Sequence, residues 1–143
     1  MGKDTAQPVM TADELKTFLV RDFPQVADDF RVVALGPMTL TLAMTPEDRH
    51  LRPGGTVSGP TLFMVADCAV YLCVLAMVGP EALAVTTNAS IDFMRKPQPG
   101  ADLRAEVQLL KLGRGLVVGD VLIFSEGLQP PVARATMTYS RPR

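Results

Sequence analysis

One stretch constrains this chain more than any other: Arg52 to Val78, RPGGTVSGPTLFMVADCAVYLCVLAMV. It opens on the turn-prone run Pro53-Gly54-Gly55, passes through the small-residue run Ser58-Gly59-Pro60, and then stays apolar from Leu62 to Val78 except for one charge, Asp67. A helix that is apolar on nearly every side must be buried on nearly every side. A membrane span would need about 20 such residues, and a central Asp is costly there. No comparable segment occurs elsewhere. The expectation is a soluble protein, with no membrane partner, built around a buried central helix.

Two features of that helix bear on chemistry. Ala66, Ala69, Cys73 and Ala76 put small residues along one side, which lets a backbone lie close against a neighbouring layer. Asp67 places a carboxylate about two turns in, where an unpaired charge would cost several kcal/mol. Two readings stand side by side. Asp67 is either a paired carboxylate at a subunit seam or a group kept for general-base or nucleophilic work. In the second reading it faces a pocket made by the Gly-rich turn, because amides at a helix start are ready anion donors.

The totals exclude other classes. The 143 residues suit one domain, 1–143, with residues 1–10 as a flexible tail. At 48% hydrophobic and net charge −1, with no basic stripe, the chain suits neither disorder nor a nucleic-acid partner. Cys68 and Cys73 do not have a metal or redox spacing and read as buried free thiols, which fits a cytoplasmic setting. The N-terminal MGKDTAQPV lacks the apolar core of a signal peptide. His50 is the single histidine, and its polar loop makes a surface residue the expectation, so no metal site is expected.

The remaining chain reads as follows. Thr11-Ala12-Asp13-Glu14 is a capping box that starts a helix ended by Pro24. Phe30–Leu35 and Thr39–Met44 form a hairpin around Gly36-Pro37. After Gly79-Pro80 come the strands Ala84–Met94, Asp102–Leu112, Val117–Ser125, with Gly119 as a bulge, and Val132–Tyr139. Strict alternation in the first of these puts Val85, Ala89, Ile91 and Phe93 on one face and Thr86, Asn88, Ser90 and Asp92 on the other. The class is α+β, an antiparallel sheet of five to six strands wrapped around one long central helix. One short second helix would leave much of the sheet uncovered, so a homodimer or a dimer of dimers is expected.

From about Thr39 to Tyr139 the chain resembles the hotdog-fold acyl-CoA thioesterases of the phenylacetic-acid-degradation type. Their signature is an Asn, a short Gly-containing turn, His-Gly-Gly, and an acidic residue nine positions after the His. The matching run here is Arg52 to Pro60, with Asp67 nine after Ser58. Thr86 to Arg95 is similar to a later family strand, and Gly113-Arg114-Gly115 and Ala133-Arg134-Ala135 fit late-strand positions. The resemblance implies hydrolysis of an acyl-CoA thioester, with coenzyme A as part of the substrate and no separate cofactor. It makes Asp67 the general base or nucleophile, the Gly59 amide the carbonyl-polarising donor, and Thr86 the residue that orients water. Gly59 and Asp67 would come from opposite subunits. Arg52, Ser58, Pro60, Phe63 and Asn88 would contact substrate, and Arg95, Lys96 or Arg114 would meet the nucleotide phosphates. Leu62, Phe63 and Tyr71 are candidate pocket lining, against the favoured reading of each as an ordinary core residue. The chain departs from the pattern in three places: Arg52 stands for the Asn, Ser58 for the His and Pro60 for the second Gly. Arg52 could donate hydrogen bonds or pair with Asp67. Those departures leave a non-catalytic acyl-CoA binder on the same fold as the alternative. A hydratase or dehydratase would have to depend on His50.

Overall fold

The computed structural model describes residues 6–142. Helix α1 (Ala12–Asp22) begins as expected: the Glu14 amide donates to Thr11 Oγ1 at 3.1 Å, and Glu14 Oε1 accepts from the Thr11 amide at 2.9 Å. It buries Leu15, Phe18 and Leu19. It ends at Asp22, before Pro24, as expected, and Pro24 then opens a second short helix, α2 (Pro24–Ala27). A proline is tolerated in a first turn because the missing amide would have lacked a partner there anyway.

Strands β1 (Arg31–Gly36) and β2 (Thr39–Met44) form the expected hairpin. A 3₁₀ turn, Asp48–His50, leads to the Gly-rich loop and then to helix α3 (Gly59–Val78). Strands β3 (Val85–Phe93), β4 (Leu103–Leu112), β5 (Leu116–Ser125) and β6 (Ala133–Ser140) complete a six-stranded antiparallel sheet, ordered β1-β2-β4-β5-β6-β3. β1 and β3 are therefore its edges.

Helix α3 is long and apolar enough to cross a membrane by composition alone, yet its buried residues run from Thr61 to Met77, packed on β2, β4, β5 and β6. The small side chains Ala66, Ala69, Cys73 and Ala76 are all fully buried. Gly119 extends the same logic from the sheet side. It is not the expected bulge, since it pairs in register with Leu109 and Met137 and the extra residue is Leu110 on β4. A Cβ at 119 would stand 3.1 Å from Leu109 Cδ2 and 3.2 Å from Val70 Cγ1, so glycine lets α3 lie close on β5.

The end of α3 also corrects the expected tail. Residues 1–5 of that tail lie outside the described residues, but Val9 donates its amide to the Ala76 carbonyl at 2.6 Å. Four residues beyond Ala76 stands Pro80, which has no amide to give, so an intrahelical acceptor is left for the N-terminal segment to satisfy.

Candidate active site

The site begins with the start of α3. Ser58 is its N-cap: the Ser58 hydroxyl accepts from the Thr61 amide at 3.3 Å and donates to Thr61 Oγ1 at 2.9 Å. Pro60 has no amide and the Thr61 amide is taken by the cap. The Gly59 N–H is left without an acceptor among the described residues. Gly59 lines a cavity of about 560 Å³ together with Arg52, Phe93, Arg95 and Lys96. The Phe93 ring lies against Gly59, 3.5 Å from where a Cβ would be. Arg52 is exposed and donates to the Pro53 carbonyl at 3.4 Å; it does not pair with Asp67. Arg114 sits in the β4–β5 turn and lines neither this cavity nor the next.

Asp67 lies two turns further on, half-buried, at the edge of a second cavity of about 640 Å³. Pro60, Phe63, Tyr71, Thr86 and Tyr139 line it too, and Phe23 and Val26 close it from the N-terminal helices. Thr86 Oγ1 donates to Asp67 Oδ1 at 2.6 Å, and the Tyr139 hydroxyl lies 2.7 Å from the same oxygen and 3.0 Å from the Asp67 carbonyl oxygen. Asp67 Oδ2 has no hydrogen-bond partner among the described residues.

The strand that brings Thr86 here has a fault in its alternation. The register of β3 on β6 shifts between Thr86 and Asn88, with Thr87 as the extra residue. Thr86 thus pairs with Tyr139, while Ala89, Ile91 and Phe93 pair with Met137, Ala135 and Ala133. Cross-strand partners share a face, and those β6 residues are the buried set. Thr86 therefore points with Ala89, Ile91 and Phe93 towards α3, against the expectation of strict alternation. Asn88 pairs with Thr138 on the opposite face, exposed and away from Asp67.

Electrostatics fix the protonation of the partners. Burial, then the negative charge of Asp67, hold the Tyr139 phenol well above its usual range, so it remains a donor. Burial pushes the Cys68 thiol up to about 12, with Asp67 and Asp29 adding to it, and it pushes Cys73 up to about 12 as well. Both are free and buried, as the spacing suggested.

His50 is a correction. It is 3% exposed rather than on the surface. The Glu47 amide donates to its Nδ1 at 2.8 Å, and its Nε2 points into a buried space 3.5 Å from Asp29 Oδ1, an oxygen that Arg49 holds. The 3₁₀ turn folds the ring inward, and the carbonyl of His50 accepts from the Ser58 amide at 2.9 Å and from Thr61 Oγ1 at 3.2 Å. His50 thus braces the start of α3 through its backbone, on a loop that its buried ring anchors, and the ring lies outside the Asp67 cavity. Among the described residues no group of three His, Cys, Asp or Glu side chains could hold a metal ion.

Sequence reasoning missed Tyr139. The available signal was its inward position on β6, after Ala133, Ala135 and Met137, because a buried tyrosine needs a partner for its hydroxyl.

The fold has counterparts. The thioesterase superfamily profile matches residues 54–132. A candidate thioesterase from a Silicibacter species is 55% identical with a TM-score of 0.90, covering 97% of this chain and 96% of that one. A mutant of the phenylacetic acid degradation protein of Thermus thermophilus is 28% identical, TM-score 0.71, covering 83% and 99%. A Streptococcus mutans protein bound to acetyl CoA shares the fold at 24% identity, TM-score 0.70, covering 80% and 89%. A search of curated proteins finds no match. With its six-stranded antiparallel sheet closed on one central helix and the family profile matched over more than half its length, the chain belongs to the thioesterase superfamily and has the hotdog fold.

Proposed function

We propose that this protein hydrolyses acyl-CoA thioesters, with Asp67 as general base and the Gly59 amide as oxyanion donor. The observation that carries the reading is the state of the Asp67 carboxylate: one oxygen is held by two hydroxyls and the other is free at the edge of an apolar cavity. Within one protomer Gly59 and Asp67 are eight residues apart on a helix, about 12 Å along its axis. Reacting atoms must approach to about 3–3.5 Å, so one thioester cannot use both groups of the same chain. A dimer resolves this. β3 is an edge strand whose Val85 and Phe93 are 56% and 53% exposed, and Phe63 of α3, 37% exposed, lines the Asp67 cavity together with Val85. Pairing across that edge covers these side chains and lets Asp67 meet Gly59 of the partner subunit.

In this reading Oδ2 takes a proton from a water whose oxygen forms a bond to the thioester carbonyl carbon. The Gly59 N–H stabilises the developing oxyanion. Collapse breaks the C–S bond, and the proton held by Asp67 passes to the departing thiolate. Arg52, Arg95 and Lys96 supply positive charge beside the Gly59 cavity for the phosphates of coenzyme A. Ser58 in this structure is a helix cap, so its contribution is to hold Gly59 in place.

The test is thiol release from a panel of short, medium and aromatic acyl-CoAs, with Asp67→Asn beside the parent. Parent turnover with a loss of about 10² or more in the variant is expected. Equal turnover in both would remove Asp67 from the mechanism. Saturable binding without turnover in the parent would favour the acyl-CoA binder, a reading that the missing amide at Pro60 supports.

A further inference from the structure

We propose that Tyr139 is the positioning residue of this site, its hydroxyl joining that of Thr86 on Asp67 Oδ1 so that Oδ2 is the oxygen presented to substrate; the proposal rests on the thioesterase reading above. An aspartate carboxyl turns freely about its last torsion, which is broad and nearly two-fold. Left alone, Asp67 would sample many orientations of its two oxygens at the cavity. Two donors on one oxygen remove that freedom.

The donors themselves are rigid. Thr86 and Tyr139 are cross-strand partners on β3 and β6, so they face α3 side by side. The Tyr139 side chain is buried, with its ring against Tyr71 at 5.9 Å between centroids and 34° between planes. The hydroxyl also lies 3.0 Å from the Asp67 carbonyl, which sets it over the backbone of the residue it orients. Its phenol stays protonated, because burial and the nearby carboxylate both oppose ionisation. A tyrosine there only to fill the core would need an acceptor and could use the Asp67 carbonyl alone. The shorter contact is to the carboxylate.

The experiment is steady-state hydrolysis by the full chain, purified as Tyr139→Phe, Asp67→Asn and the double variant. In Tyr139→Phe, kcat falls by about tenfold or more while KM stays within about twofold, since binding contacts are kept and orientation is lost. In the Asp67→Asn background the same change has no effect beyond about twofold, because its target is gone. A Tyr139→Phe protein with parental kcat overturns the proposal, and so does an equal fractional loss in both backgrounds. Thr86→Val is the second variant and must show the same split of kcat against KM; a change confined to KM counts against the shared clamp. A parent that turns over no acyl-CoA would overturn the thioesterase reading itself, and an Asp67→Asn protein as active as the parent would remove Asp67 from it; both differ from a Tyr139→Phe change without effect in a protein that needs Asp67.

Discussion

Replacing His50 is the sharpest test of how the start of α3 is held. The ring is 4% exposed and accepts the Glu47 amide through Nδ1. His50→Ala empties a ring-sized space, at about 2–3 kcal/mol for a truncation of that size. It also releases the Glu47 amide; Glu47 is exposed, so water can take over and the loss is near the low end, about 1 kcal/mol. The expected total is roughly 3 kcal/mol, or about 6–12 °C in Tm for a chain of this length. His50→Phe keeps the volume and gives up only the acceptor, so it should cost about 1 kcal/mol or less. Urea unfolding at one fixed protein concentration gives both numbers, with the concentration held because assembly raises apparent stability. An Ala variant within about 0.5 kcal/mol of the parent, as for an ordinary surface change, would refute the buried brace.

Two further outcomes follow from the same structure. Cys68 and Cys73 are buried thiols held near 12, against 9.0 when free, so the folded protein binds more protons than the unfolded chain above that value. The stability they contribute is complete below about pH 9 and is lost as the pH rises towards 12, and a urea series across that range should show a falling midpoint; a flat profile would contradict it. Ser58→Ala removes the cap of α3 and should lose about 1 kcal/mol, whereas Ser58→Gly should lose a few tenths. Equal losses would mean the hydroxyl does something other than cap.

Much of the architecture was legible because the signals were local. The capping box at Thr11 and Glu14 needs only a four-residue window, and the apolar run to Val78 needs only its length. The strands of the second half alternate nearly as written. What failed depends on residues far apart in sequence. His50 is buried beside Asp29, 21 positions earlier, and the polar loop that carries it gives no sign of that. The site was half legible for the same reason. Asp67 stands out as a lone charge in an apolar run, and the structure brings Thr86 to it. It also separates Asn88 from it and adds Tyr139, both through the pairing of β3 with β6. A period-two reading of one strand cannot see an extra residue, because the extra residue is defined only against its partner strand.

That extra residue, Thr87, makes β3 a strand with two phases. Upstream of it the phase is set by Thr86, which serves the carboxylate; downstream it is set by Ala89, Ile91 and Phe93, which serve the helix and the Gly59 cavity. Deleting Thr87 would merge the two phases into one regular alternation with Thr86 and Ala89 still facing α3, whereas unbroken pairing at the present length would put Thr87 in place of Thr86 opposite Tyr139. The extra residue thus decides which of two neighbouring threonines brings its hydroxyl to the acid.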